Sequence, residues 1–151
     1  GALVDKVGKA TLWMIVGSAM VLVSHLIITF APQEEPMYAY IAIALLGIGY
    51  SLVPSAMWPS VPKIIPEKNL GTAYSLIYWV QNLGMWAVPI YVGRIFKNTI
   101  TEAGNATQEI SAAIRAEYVF TFLGIIAIAT ALMLYFSSKR DPELRLDKAA
   151  K

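Results

Sequence analysis

Residues 70–95 read LGTAYSLIYWVQNLGMWAVPIYVGRI. The segment is long enough to cross a bilayer, because about 20 residues of helix span about 30 Å of hydrocarbon. It carries no charge before Arg94. On a helix, Tyr74, Tyr78, Gln81 and Met85 fall in one row and Ser75, Trp79, Asn82 and Trp86 in the next. The two rows form one broad polar and aromatic face. Leu76, Val80, Leu83, Ala87 and Ile90 line the opposite side. An unpaired side-chain amide in hydrocarbon is costly, so the polar face belongs against other helices or a wet cavity.

The rest of the chain fits a membrane setting. Of its 151 residues 57% are hydrophobic and 15% charged, with mean hydropathy +0.57. Soluble domains are nearer about 25% charged. Four spans are expected, at residues 10–31, 37–61, 70–95 and 118–136, followed by a solvated tail at 137–151. They define an all-α polytopic membrane protein forming part of one transmembrane domain. The net charge of +2 gives no reason to invoke nucleic acid, and the lipid bilayer is the expected surrounding. There is no cysteine, so disulfides and thiolate chemistry are excluded. One histidine, no HExxH, no P-loop and no GxGxxG leave no enzyme constellation, cofactor site or metal site to propose. The chain begins at Gly1 and shows no signal-peptide pattern, and a portion of a longer protein is expected.

Charge gives an orientation. Lys6, Lys9, Lys63, Lys68, Lys139, Arg140, Arg145, Lys148 and Lys151 lie on one side of the expected spans, nine of the twelve bases. Arg94, Lys97 and Arg115 lie on the other. Cytoplasmic loops are the basic ones, so both termini are expected in the cytoplasm of a multi-pass protein.

Within the spans, His25 is the one titratable group of the first. It is expected to be a neutral histidine bonded to a neighbouring helix, or snorkelling to the outer surface, rather than a proton relay. Trp13 is placed at the inner interface. In the second span Gly47, Ser51 and Ser55 recur every four residues, a stripe that permits close helix approach. Its inner end carries Pro54, Pro59 and Pro62, followed by Pro66; each removes a backbone donor and favours bending. Trp58 lies among them on the side of Ser51 and Pro54. The segment is a bendable gate or a static kink. Asn69 is placed to cap the helix starting at Leu70. Beyond it, Pro89 is expected to bend the third span. Asn105 and Gln108 have the spacing of a capping box, so the last helix is expected to start near Ala106, project from the membrane and enter it near Tyr118. Asn105-Ala106-Thr107 is also a glycosylation sequon, with the cap preferred.

The opening GALVDKVGK places glycines around an Asp-Lys pair, the composition of a tight basic turn at a membrane surface. Gly1, Asp5, Lys6, Gly8 and Lys9 match the loop signature Gly-x-x-x-Asp-Arg/Lys-x-Gly-Arg/Lys, so the chain resembles the major facilitator superfamily. Ala10 departs from the second basic residue usual there. A further run, Trp58-Pro59, Pro66, Leu70-Gly71-Thr72-Ala73-Tyr74 and Gln81-Asn82-Leu83-Gly84, is similar to a dipeptide-carrying branch of that family.

The resemblance implies twelve helices in two halves, with substrate held near the midplane between them. This chain would supply helices 9 to 12, and the remaining helices would be its partners. Helices 10 and 11 would line the cavity, with 9 and 12 outside. Tyr78, Gln81, Asn82, Trp86, Trp58 and Tyr74 are then the expected contacts to a small polar solute, offering hydroxyl, amide and indole groups and rings that stack. Gly1, Asp5, Lys6, Gly8 and Lys9 form the gating loop. No Asp or Glu falls within the four spans, so a coupling acid, if used, belongs to other parts of the protein. A small four-helix scaffold or partner subunit without transport activity would use the same polar face as a packing seam.

Overall fold

The computed structural model describes residues 8–32, 34–101, 104–141, 144 and 146–147. Gly1, Asp5 and Lys6 of the loop signature lie outside the described residues. The described chain is helical: α1 (Ala10–Phe30), α2 (Pro36–Ile64), a 3-10 turn (Glu67–Asn69), α3 (Leu70–Thr99) and α4 (Ala106–Arg140). Among the described residues three helices, α1, α2 and α4, are long and apolar enough to cross a membrane. The amides and aromatic hydroxyls of α3 lower its hydropathy.

A seam of small residues joins α1 to α2. Ala10, Gly17 and Ser24 recur every seven residues and are buried, as are Ala42, Gly49 and Ala56. The two rows meet in antiparallel register. A Cβ added to Gly49 would lie 2.7 Å from the Gly17 carbonyl oxygen, and one added to Gly17 would lie 2.9 Å from that of Gly49. Toward the C-terminal end of α1 the Ser24 hydroxyl donates to the Ala42 carbonyl at 2.6 Å. Ala10 and Ala56 share the core with Met14 and Ala131. Small residues let backbones approach closely, which is how helices gain dispersion energy without a hydrophobic drive in lipid. The Gly47/Ser51/Ser55 stripe singled out by four-residue spacing is not this seam. A Cβ at Gly47 meets nothing within 4 Å, and the exposed Ser51 turns its hydroxyl back to the Gly47 carbonyl.

Along its other side α1 carries α4. Gly124 of α4 fits against Leu22, where an added Cβ would come within 3.1 Å of a side-chain carbon. Near the C-terminal end of α1 His25 Nδ1 lies 2.7 Å from Glu117 Oε2, and the imidazole stacks on Phe120 at 5.3 Å. His25 is therefore bonded to a neighbouring helix, as expected. Its partner comes from the part of α4 preceding residue 118, which is helical.

Three local expectations meet different outcomes. Asn105 does cap α4, its side chain accepting from the Gln108 amide at 3.0 Å. The return arm of a capping box is absent, because Gln108 Oε1 accepts from the Thr101 amide and hydroxyl instead. Asn69 makes no side-chain cap, since the 3-10 turn feeds directly into α3. The tail is not simply solvated: Leu146 is fully buried, and Asp147 bonds to the start of α1. Beside the buried leucine, Asp147 accepts from amides that the helix end leaves unfilled, which a tally of charges does not show. Gly8, at φ 70°, makes the left-handed turn that leads into α1.

Candidate functional site

α3 has no buried residue in this chain. Both its polar front and its apolar back are open along most of their length, with Leu76, Val80, Trp79 and Trp86 all exposed. Its contact with α2 is made by aromatic rings. Trp58 of α2 lies 5.6 Å from Tyr74 and 5.0 Å from Tyr78, with the rings inclined at 36° and 31°. Tyr74 and Tyr78 are one helical turn apart, so their rings flank the indole from the same face. Offset ring pairs at this spacing hold their partners in place, while the hydroxyls stay available for polar contacts.

Beside this cluster lies a cavity of ≈ 340 Å³, lined by Trp58, Gln81, Tyr50, Pro54, Met57 and, from α1, Ser18 and Val21. Trp58 and Gln81 thus face one space from two helices. Among the described residues Gln81 has no hydrogen-bond partner. Its amide carries two donors and an acceptor into a largely apolar lining, the arrangement that fixes the orientation of a small ligand. Tyr50 is a cavity residue that the sequence reading passed over. The signal is present: Tyr50, Pro54 and Trp58 recur every four residues on one face of α2.

Four of the six expected contacts, Trp58, Tyr74, Tyr78 and Gln81, are brought together. Asn82 and Trp86 are not. The Asn82 amide donates to the Tyr78 carbonyl of its own helix at 2.7 Å. Trp86 lines a second cavity of ≈ 410 Å³ between α3 and α4, with Tyr91, Arg94, Val119 and Leu123. Of the residues expected to form the gating loop, Gly8 and Lys9 make the left-handed turn at the start of α1. Among the described residues no group of acids and histidines is placed to hold a metal ion.

The sequence model of the Major Facilitator Superfamily matches residues 1–89, and the chain belongs to that family. The relatives it resembles narrow the placement. It is 42% identical over 95 residues to the lysosomal dipeptide transporter MFSD1 of Homo sapiens, 43% to that of Mus musculus and 39% to that of Danio rerio. Each match covers 63% of this chain and 20% of the relative, so the chain corresponds to about one fifth of those proteins' length. No solved structure matches it significantly.

Proposed function

We propose that this chain is the helix 9 to 12 portion of a secondary transporter or uniporter that carries a small polar solute, of the dipeptide class, by alternating access. The observation that carries this proposal is the Trp58–Tyr74–Tyr78 cluster beside the Gln81-lined cavity. It is built across the two helices that the family architecture assigns to the cavity wall. A dipeptide presents an amide, two charged ends and variable side chains. Hydroxyl and amide groups suit the first, and aromatic faces accept an ammonium or a varied side chain. The identity to dipeptide transporters supports the same class.

In this proposal α3 is the fourth span of the chain, and its exposed front is completed by helices of the other half of the protein. Both termini of the chain are cytoplasmic, following the distribution of the bases. Asn82 and Trp86 contribute to the outer part of the cavity once the facing half is present. Rocking of the halves about the site moves the solute, with the proline-rich inner half of α2 yielding during the motion. The chemistry is transport and not catalysis.

The test is uptake by the full-length protein in proteoliposomes, comparing dipeptides with sugars, with and without a pH gradient. Dipeptide uptake is expected. Tyr78→Phe and Asn82→Ala are expected to impair it at unchanged expression; wild-type kinetics in both variants remove these residues from the site.

A further inference from the structure

The N-terminus of α1 lacks its own cap. The residue in the capping position is Lys9, held left-handed at φ 55°, and the first turn contains no acid. A cation at the positive end of a helix dipole is the unfavourable choice, and the first amides of a helix need acceptors from elsewhere. They come from the far end of the chain. The Asp147 carboxylate accepts from the Thr11 amide at 3.0 Å and from the Thr11 hydroxyl at 2.8 and 2.9 Å. The Asp147 backbone carbonyl accepts from the Lys9 amide at 3.0 Å. Ser138, at the end of α4, donates to the same carboxylate at 3.4 Å.

This contact is anchored on a second side. Leu146 and Thr11 are both 0% exposed, so the joint is closed to solvent. The Leu146 carbonyl also accepts from Lys63 Nζ at 3.4 Å. Lys63 follows Pro62 directly, at the end of the helix segment that contains Pro54 and Pro59. One short piece of tail therefore joins the beginning of α1, the proline-rich end of α2 and the end of α4. It also holds Lys9, the last residue of the GALVDKVGK loop, the segment that the family resemblance makes a gating element.

We propose that Leu146 and Asp147 form a latch that caps α1 and restrains the bendable end of α2. With the latch seated, bending of α2 at its prolines strains the Lys63–Leu146 contact. With it released, the start of α1 loses its acceptors and the end of α2 loses this restraint. The latch is intramolecular and does not depend on which solute is carried.

Hydrogen–deuterium exchange on the full-length protein in lipid nanodiscs tests it. In the unaltered protein the amides of residues 9–11 are expected to exchange slowly. Asp147→Ala is expected to speed them at least tenfold and to speed residues 60–64 at least threefold. Thr11→Val is expected to act in the same direction. Thr11→Ser, which keeps the hydroxyl, is expected to exchange as the unaltered protein does, which separates latch loss from general misfolding. Fast exchange at residues 9–11 in the unaltered protein overturns the latch. So does Asp147→Ala leaving residues 60–64 unchanged, because the contact is then a local cap and not a restraint on α2.

Discussion

The α1–α2 seam and the front of α3 are made of opposite materials. The seam is small residues: Ala, Gly and Ser every seven positions, buried, with carbonyls of facing helices as close as their backbones permit. The α3 front is large rings and amides, with no buried residue and one aromatic foothold on α2. Small residues give a contact that is complete within this chain. Large polar residues give a surface whose hydrogen-bonding capacity is mostly unspent. A contact that must slide or admit a solute cannot be closed to backbone distance, while a scaffold contact gains from being closed.

The largest expected effect comes from filling the seam. Gly49→Ala puts a methyl group 2.7 Å from a backbone oxygen that has no side-chain freedom to yield. A loss of about 2–3 kcal/mol is expected, at the upper end of overpacking costs, read as the shift in thermal or denaturant midpoint of the purified full-length protein. A midpoint unchanged from the parent breaks the claim that the seam is closed. Next is the foothold of α3. Trp58→Ala removes the indole between Tyr74 and Tyr78, and uptake is expected to fall about tenfold, the equivalent of about 1.4 kcal/mol, with the stability midpoint moving less than in Gly49→Ala. An uptake loss matched by equal destabilisation makes the cluster a packing element only.

The polar tie between α1 and α4 ranks third. His25→Ala and Glu117→Ala each remove one side of the 2.7 Å contact. A loss of about 1 kcal/mol is expected for either, and little more for the double variant, because interhelical polar pairs in membranes are of that size. Full additivity in the double-mutant cycle denies the coupling. Gly47→Ala is expected to be the mildest, within about 0.5 kcal/mol of the parent, since its position is open and alanine favours the helix. A Gly47→Ala loss equal to that of Gly49→Ala erases the distinction between the two glycine stripes.

Much of this molecule is readable along the chain. The apolar runs placed α1, α2 and α4, and Asn105 announced where α4 begins. The row of Tyr74, Tyr78 and Gln81 marked the face of α3 that meets Trp58 and lines a cavity. Four-residue spacing then misdirected the choice of seam: Gly47, Ser51 and Ser55 look as suited to helix contact as Gly49 and its heptad partners. Only the match between two rows, one on each helix, tells them apart, and a single-helix pattern does not contain it. Trp86 and Asn82 belong to the row next to that of Gln81 on the broad polar face. Trp86 lies more than a turn beyond Gln81, where it lines the cavity beside α4, while Asn82, the next residue, turns its amide back to the Tyr78 carbonyl of its own helix.

The amino-acid sequence by itself determined the all-helical membrane class, the family, the helix limits to within a few residues and the chemical character of α3. These follow from hydropathy, propensity and local spacing, which act within one or two turns. The tertiary structure decided that Gly17 faces Gly49, that His25 meets Glu117, that Trp58 stands between two tyrosines, and that Asp147 caps a helix 136 residues before it. Each of these depends on which groups packing leaves without a partner, and that is settled only when separate helices come together.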